Sequence, residues 1–200
     1  MKNLLALSLI VAAFFAIATA TTPLVTTDAP APMAIGTAVD NFTLPDGDGK
    51  DHSLNTLKGK NGTVVIFVAT KCPVSNAYNE RMEKLAQDYK AKGVNVVGIN
   101  SNVAELGPEI KAHAASNKLT FPILKDGGNK IADVFGATVT PEAYFLDANN
   151  KLVYRGRIDN ARDVSQVVST ELRDAIDAAL AGKPVAKTTA TAFGCSIKRA

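Results

Sequence analysis

Residues 63–69, TVVIFVA, restrict the fold more than any other stretch of this chain. An unbroken series of β-branched and aromatic residues suits a strand covered on both faces, and so a parallel or mixed sheet with helices on either side. Three positions further on stand Cys72 and Pro73. From Val74 the apolar residues recur at Ala77, Tyr78, Met82, Leu85, Ala86 and Tyr89 with charges between them, and Gly93 supplies a stop. That pattern predicts an amphipathic helix of about four to five turns. Residues 94–99 read as a second buried strand, which completes a strand–helix–strand crossover of the α/β class.

The remaining elements fit around that unit. Residues 41–57 place short apolar pieces about Asp46-Gly47-Asp48-Gly49, the turn chemistry of a β-hairpin, with residues 52–57 as its second arm. Residues 108–116 predict a helix, 121–124 a short extended piece and 130–135 a further helical turn or two. Residues 143–146 and 152–158 form the last two strands, joined at Asp147-Ala148-Asn149-Asn150, whose asparagines tolerate left-handed backbone. The apolar positions Val164, Val167, Val168, Leu172, Ala175, Ile176 and Ala179 predict a closing helix that stops at Gly182, with Pro184 beyond. The expected architecture is a central mixed sheet with helices on both faces, an N-terminal β-hairpin and a C-terminal tail carrying Cys195.

Residues 1–20 open with Lys2, continue through an apolar run from Leu4 to Ile17 broken only by Ser8, and end in Ala18-Thr19-Ala20. This is the layout of a cleaved secretory signal peptide, and it predicts an exported, periplasmic or secreted protein that is free of the membrane after cleavage. Residues 21–36, rich in Thr, Ala and Pro, read as a disordered leader. Residues 37–182 read as one folded domain, and 183–200 as a flexible tail. The net charge of +3 comes from basic residues scattered among nearly as many acids, so neither nucleic acid nor a membrane surface is expected as a partner. His52 and His113 lack companions at metal-ligand spacing, and no phosphate-binding glycine motif occurs, so no metal or cofactor is expected.

Cys72 and Cys195 are the two cysteines. In an oxidising compartment an even count suggests a disulfide or a redox pair. Cys72 ends a buried strand and stands before a proline suited to the first helical position, which makes it an N-cap. There its sulfur faces unpaired backbone N–H groups and the positive helix end, both of which favour thiolate over thiol. Lys71 adjoins it and could lower its pKa further, whereas Arg81 lies too far along the helix. Cys195 stands thirteen positions beyond Gly182. Extended, that length of chain reaches about 40 Å at roughly 3.3 Å per residue, against a radius of gyration near 15 Å for such a domain, so the tail can reach Cys72. A permanent staple and an exchanging pair both satisfy that geometry.

The pieces NFTLPDGDGKDHSL, VVIFVATKCPVSNAYNERM, VVGINSN, FGATVTPEAYFLD, KLVYRGRIDN and AFGCSIK, in that order, resemble the thioredoxin superfamily, and within it the exported redoxins related to alkyl hydroperoxide reductase and thiol-specific antioxidant. The resemblance implies a cis Pro141 lying against Cys72, with backbone there free to pair with a bound thiol substrate. Thr140, Pro141, Thr70, Lys71, Pro73 and Ser75 are the residues expected around the substrate, with Cys72 as the attacking sulfur and Cys195, within reach on the tail, as the expected resolving one. Two departures stand out. Ser75 occupies the position of the second cysteine of CxxC, and the peroxiredoxin pattern of Thr or Ser three before the cysteine and Pro seven before meets Ala69 and Val65, with Thr70 one position off.

The leading expectation is therefore a thiol-disulfide oxidoreductase in which Cys72 attacks and Cys195 resolves, exchanging with protein or small-molecule thiols and disulfides. Its rival is a thiol-dependent peroxidase that takes hydroperoxides. A redox-inert binding module that keeps the fold is the third reading.

Overall fold

A computed structural model describes residues 30–199. The expected signal peptide, and the expected leader as far as residue 29, lie outside the described residues. In chain order the elements are β1 (Thr43–Pro45), β2 (Asp51–Ser53), α1 (Leu54–Leu57), β3 (Gly62–Phe67), α2 (Pro73–Ala77), α3 (Asn79–Lys90), β4 (Val94–Asn100) and α4 (Gly107–Ser116). There follow β5 (Ile123–Lys125), α5 (Lys130–Phe135), β6 (Val139–Thr140), β7 (Glu142–Asp147), β8 (Leu152–Gly156), α6 (Glu171–Leu180) and β9 (Cys195–Ser196).

The central sheet runs β5-β4-β3-β7-β8, with β5, β4 and β3 parallel and β7 and β8 antiparallel to their neighbours. The run that opened the sequence is its middle strand. Its side chains alternate between two cores, as the period of a strand requires. Val64 and Ile66 pack with Met82, Leu85 and Tyr89 of α3 and with Leu172 and Ile176 of α6. Val65 and Phe67 face Leu54 of α1 and Ile131 and Phe135 of α5. Every residue of β3 is buried, which explains the absence of any polar alternation in the sequence.

Three expected elements differ. The second arm of the hairpin ends at Ser53, because the Ser53 hydroxyl accepts from Thr56 N and the Thr56 hydroxyl accepts from Ser53 N, a capping box that starts α1. The long helix after Cys72 is broken at Tyr78, whose N–H bonds back to Ser75 O while its buried ring sends its hydroxyl to Asp159. The closing helix begins at Glu171 rather than near Val164. Val164 and Val168 are 68% and 87% exposed, and the Asn160 side-chain oxygen takes the N–H groups of Val168 and Ser169, so this stretch is a single 3-10 turn at Val164–Gln166 followed by a loop. Gly182 ends that helix with φ +66, the left-handed residue that terminates helices, as expected.

The start of α6 is tied to the segment after β8 and to the tail by Glu171, which receives hydrogen bonds from Arg157, Lys187 and Ser169. Burial alone would raise its pKa, but those donors outweigh burial and hold the carboxyl at about 2 against an ordinary 4.5. A folded-state value below the unfolded one means that the stabilisation is complete above about pH 4.5 and is lost as the pH falls through about 2, roughly 3 kcal/mol in all. Urea unfolding from pH 5 to pH 2 should therefore show the gap between wild type and Glu171→Gln closing as the pH drops. A constant gap would contradict the assignment.

Residues 30–36, expected within the leader, include Met33, which is buried and donates its N–H to Phe135 O. The residues after Gly182, expected as a flexible tail, lie along the body in this disulfide-linked form. Arg155 N donates to Thr188 O, Ala190 N donates to Arg155 O, and β9 pairs antiparallel with β6, Cys195 opposite Thr140 and Ser196 opposite Val139. Ile197 is buried beyond that pair and donates to Thr138 O, and Lys198 N reaches Asn102 Oδ1 at 2.7 Å.

Candidate active site

Cys72 is the N-cap of α2, in extended backbone, with Pro73 at the first helical position, as its placement in the sequence predicts. Asn76 N donates to Cys72 O, which closes the first turn. One N–H, that of Ser75, points at Cys72 Sγ from 3.3 Å. Because α2 breaks after one turn, this donor stands in place of a long aligned dipole as the local stabiliser of negative charge on sulfur.

Ser75, which replaces the second cysteine of the familiar motif, has a different task. Its buried hydroxyl accepts the N–H of Ala69, itself 2% exposed, at 3.2 Å. Removing that oxygen leaves a buried donor unpaired. We expect Ser75→Ala to lose roughly 1–3 kcal/mol of unfolding free energy, measured by chemical denaturation of the oxidised protein. A loss below a few tenths would contradict this role.

Cys72 and Cys195 are joined in a disulfide across 123 positions, with Cα atoms 5.9 Å apart, within the span that such bonds require. The Thr140-Pro141 bond is cis, and Thr140 O lies 3.4 Å from Cys72 Sγ. In the disulfide that contact carries no proton. In the reduced form the thiol can donate to Thr140 O, which favours the neutral sulfur and opposes the Ser75 N–H. The backbone edge at Thr140, where a substrate is expected to pair, is occupied by the chain's own Cys195. Cys72 is 3% exposed beneath it, while Cys195 is only half-buried.

The other expected site residues divide. Thr70 and Lys71 meet the site through their backbone. The Lys71 amine turns outward to Glu109 and Ala104 O, away from the sulfur. Arg81 is committed to Asp159 and to the carbonyls of Ala161 and Arg162, with its guanidinium 3.6 Å above the Tyr78 ring. Tyr78 in turn carries the ring of Phe193 edge-on, 6.3 Å between centroids, so this network supports the tail rather than the sulfur. His52 bonds Asp46 in the hairpin turn, and His113 faces Asn79.

Two carboxylates are absent from the sequence reading. Glu105, 3% exposed, accepts from Thr70 N at 2.7 Å, Lys71 N at 3.2 Å, Asn100 at 2.6 Å and Asn102 at 3.1 Å. Burial works to raise its pKa, and these donors more than reverse it, so that its pKa lies below the ordinary carboxylate value. Glu142, directly after Pro141, accepts from Thr138 N at 3.0 Å and Val139 N at 3.4 Å. Each therefore braces one of the two loops that meet at Cys72. No residue pattern announces them, because their partners are mainly backbone N–H groups of other segments. The one faint signal is Glu105 standing between Ala104 and Leu106.

A mixed sheet covered by helices, with a cysteine at a strand-to-helix junction facing a cis-proline, is the thioredoxin fold with a redox-type site. A family model described as the AhpC/TSA family matches residues 35–155. The chain belongs to that family. Thiol-disulfide oxidoreductase ResA of Halalkalibacterium halodurans is 32% identical over 113 residues, 56% of this chain, and the match spans 62% of that protein's length. Chloroplastic peroxiredoxin Q of Sedum lineare is 32% identical over 146 residues, 66% of this chain and 75% of that protein. Among solved structures, a hypothetical protein of Sinorhizobium meliloti 1021 superposes with a TM-score of 0.78 at 34% identity, covering 85% of this chain and 97% of that one. An uncharacterized conserved protein from Geobacillus kaustophilus does so with the same score and identity over 84% and 93%. The two cysteines thus stand as a redox disulfide requires, in a family whose relatives are named for thiol chemistry.

Proposed function

We propose that the protein is an exported thiol-disulfide oxidoreductase that cycles between the Cys72–Cys195 disulfide and the dithiol. The observation that carries this reading is the bond itself, closed between an N-cap sulfur and a tail beside the cis peptide bond. Likeness to proteins named thiol-disulfide oxidoreductase supports it. In the reducing direction the Cys72 thiolate attacks a substrate disulfide and expels one substrate thiolate. Cys195 then attacks Cys72 Sγ, releases the second and closes the internal disulfide. Two electrons pass to the substrate, and the two protons of the dithiol go with its sulfurs.

Thr70, Pro73, Thr140 and Pro141, with the backbone of Lys71, form the mouth in which the substrate meets Cys72, and Ser75 supports it from beneath through Ala69 N. Residues 1–20 act as the export signal, 21–36 as a leader, 37–182 as the redox domain, and 183–200 as the segment that carries Cys195 in and out. Protein or small-molecule thiols and disulfides are the partners. The test is Cys195→Ser, which should accumulate a mixed disulfide on Cys72 when exposed to oxidised partners. A variant that stays free of adducts would remove the proposal.

A second reading, peroxide reduction, is favoured by the likeness to peroxiredoxin Q. Cys72 would take one oxygen from a hydroperoxide to become a sulfenic acid, and Cys195 would condense with it to release water. Ala69, three residues before Cys72, offers only a methyl group where a hydroxyl is wanted, which is why we rank it second. Stopped-flow oxidation of reduced Cys72 at the rate of a free thiol would eliminate it.

A further inference from the structure

The sequence piece VVGINSN ends at Asn102, and this side chain joins the two segments that carry the cysteines. Asn102 is 6% exposed. Its Oδ1 accepts the N–H of Lys198, three residues beyond Cys195, at 2.7 Å, and its Nδ2 donates to Glu105 Oε1 at 3.1 Å. That same carboxylate oxygen receives the N–H of Lys71, the residue before Cys72, and the other receives the N–H of Thr70. Lys198 O in turn accepts from Val103 N at 2.9 Å, so the end of the tail is held on both its donor and its acceptor.

The chemistry of the two partners calls for an amide. A backbone N–H only donates and an ionised carboxylate only accepts, so the connector must offer an acceptor at one end and a donor at the other, and this also fixes which way the amide points. Aspartate would set a second acceptor and a like charge against Glu105. The backbone of Asn102 is itself tied down, its N–H on Asn100 Oδ1 and its carbonyl on Lys125 Nζ, so little freedom is left to lose when the tail docks. The other anchors of the tail reach elsewhere: Phe193 rests on the Tyr78 ring, and Ile197 N bonds Thr138 O in the segment that leads to the cis-proline. Asn102 adds a tie, through Glu105, to the loop that bears Cys72.

We infer that Asn102 is a positioning residue for the resolving step, a clasp that keeps Cys195 beside Cys72 when no bond joins the two sulfurs. The inference rests on the redox reading above. In that step Cys195 Sγ bonds to Cys72 Sγ, the bond from Cys72 to the substrate sulfur breaks, and its electron pair leaves on the substrate thiolate, which takes up the proton that Cys195 gives up. Neither sulfur belongs to the clasp, so opening the disulfide removes none of its hydrogen bonds. A thiol held in this way acts at a far higher effective concentration than one on a free tail.

Equilibration of the full-length protein in glutathione buffers, with acid quench and alkylation to count dithiol and disulfide, reads that concentration. Asn102→Ala should lower the equilibrium constant for closing the disulfide by about three- to tenfold, as the loss of one buried hydrogen bond does. A chain ending at Ile197 loses the Lys198 end of the clasp with Asn102 and the Cys72 loop intact, and should show a similar fall. Combining the two changes should add nothing further, because both break the same contact. Ile176→Val, a change in the core beneath α6, should leave the constant where it is. An unchanged constant in either clasp variant, effects that add in full, or an equal fall in Ile176→Val overturns the inference and leaves the redox reading standing. Should Asn102→Ala fail to fold, the shortened chain decides by the same criterion. A wild-type disulfide that glutathione never opens overturns both, since such a bond is a staple.

Discussion

Replacing Cys72 with serine will leave the protein folded and reduce its thiol-exchange rate by several orders of magnitude, as loss of the nucleophile does in other covalent catalysts. Serine is a favoured N-cap, so the hydroxyl can take over the bond from Ser75 N, and the local helix start survives the change. The disulfide does not. Its loss should cost about 5 kcal/mol in the chain-entropy account for a loop of this length. Cys195→Ser removes the same cross-link and should cost the same stability, but it keeps the attacking sulfur. Comparing the two variants by denaturation and by single-turnover reduction of a model disulfide separates the roles. Equal stability with unequal chemistry is the expected result. If neither variant differs from wild type in thiol exchange, the bond serves only to hold the tail.

The parts of this site that were legible in the sequence are those with a local physical signature. A strand buried on both faces has no polar interruptions, an N-cap before a proline is visible within two residues, and Gly182 marks a helix end. These located Cys72, the sheet and the crossover. The pairing of Cys72 with Cys195 came from chain reach and the parity of cysteines, which allow the contact without placing it. What escaped depends on contacts between distant segments. The break at Tyr78 follows from a hydroxyl that seeks Asp159, and the bracing by Glu105 and Glu142 depends on backbone donors that no composition reveals. Val164 and Val168 misled because an apolar residue on a loop keeps the helical spacing without the burial that gives the spacing its meaning.

An N-cap taken alone argues for a strongly acidic thiol. Here one N–H favours the thiolate, while burial and the Thr140 carbonyl favour the protonated form. On the proposed reading, that balance fits a sulfur that is protected while oxidised, with the seating of the tail rather than the intrinsic acidity of Cys72 as the control.

Gly194 is where that seating is most exposed to test. Its φ of +156 is a conformation that residues with a side chain rarely adopt, and a Cβ built there would lie 2.0 Å from Thr140 O, a backbone atom of the very strand that pairs with Cys195. Neither the carbonyl nor the cis-proline loop behind it can yield easily, because Glu142 holds that loop from below. Gly194→Val must therefore displace the tail. Forcing such a backbone costs on the order of 1–3 kcal/mol, which would shift the disulfide–dithiol equilibrium toward the dithiol by roughly 5- to 150-fold. As a reduction potential that is a rise of roughly 20–65 mV. Equilibration of wild type and Gly194→Val in glutathione buffers measures it directly. The dithiol forms of both should unfold at similar denaturant concentrations, since the strain belongs to the closed tail. An unchanged potential would mean that the contact between Gly194 and Thr140 does not govern how tightly Cys195 is held against Cys72.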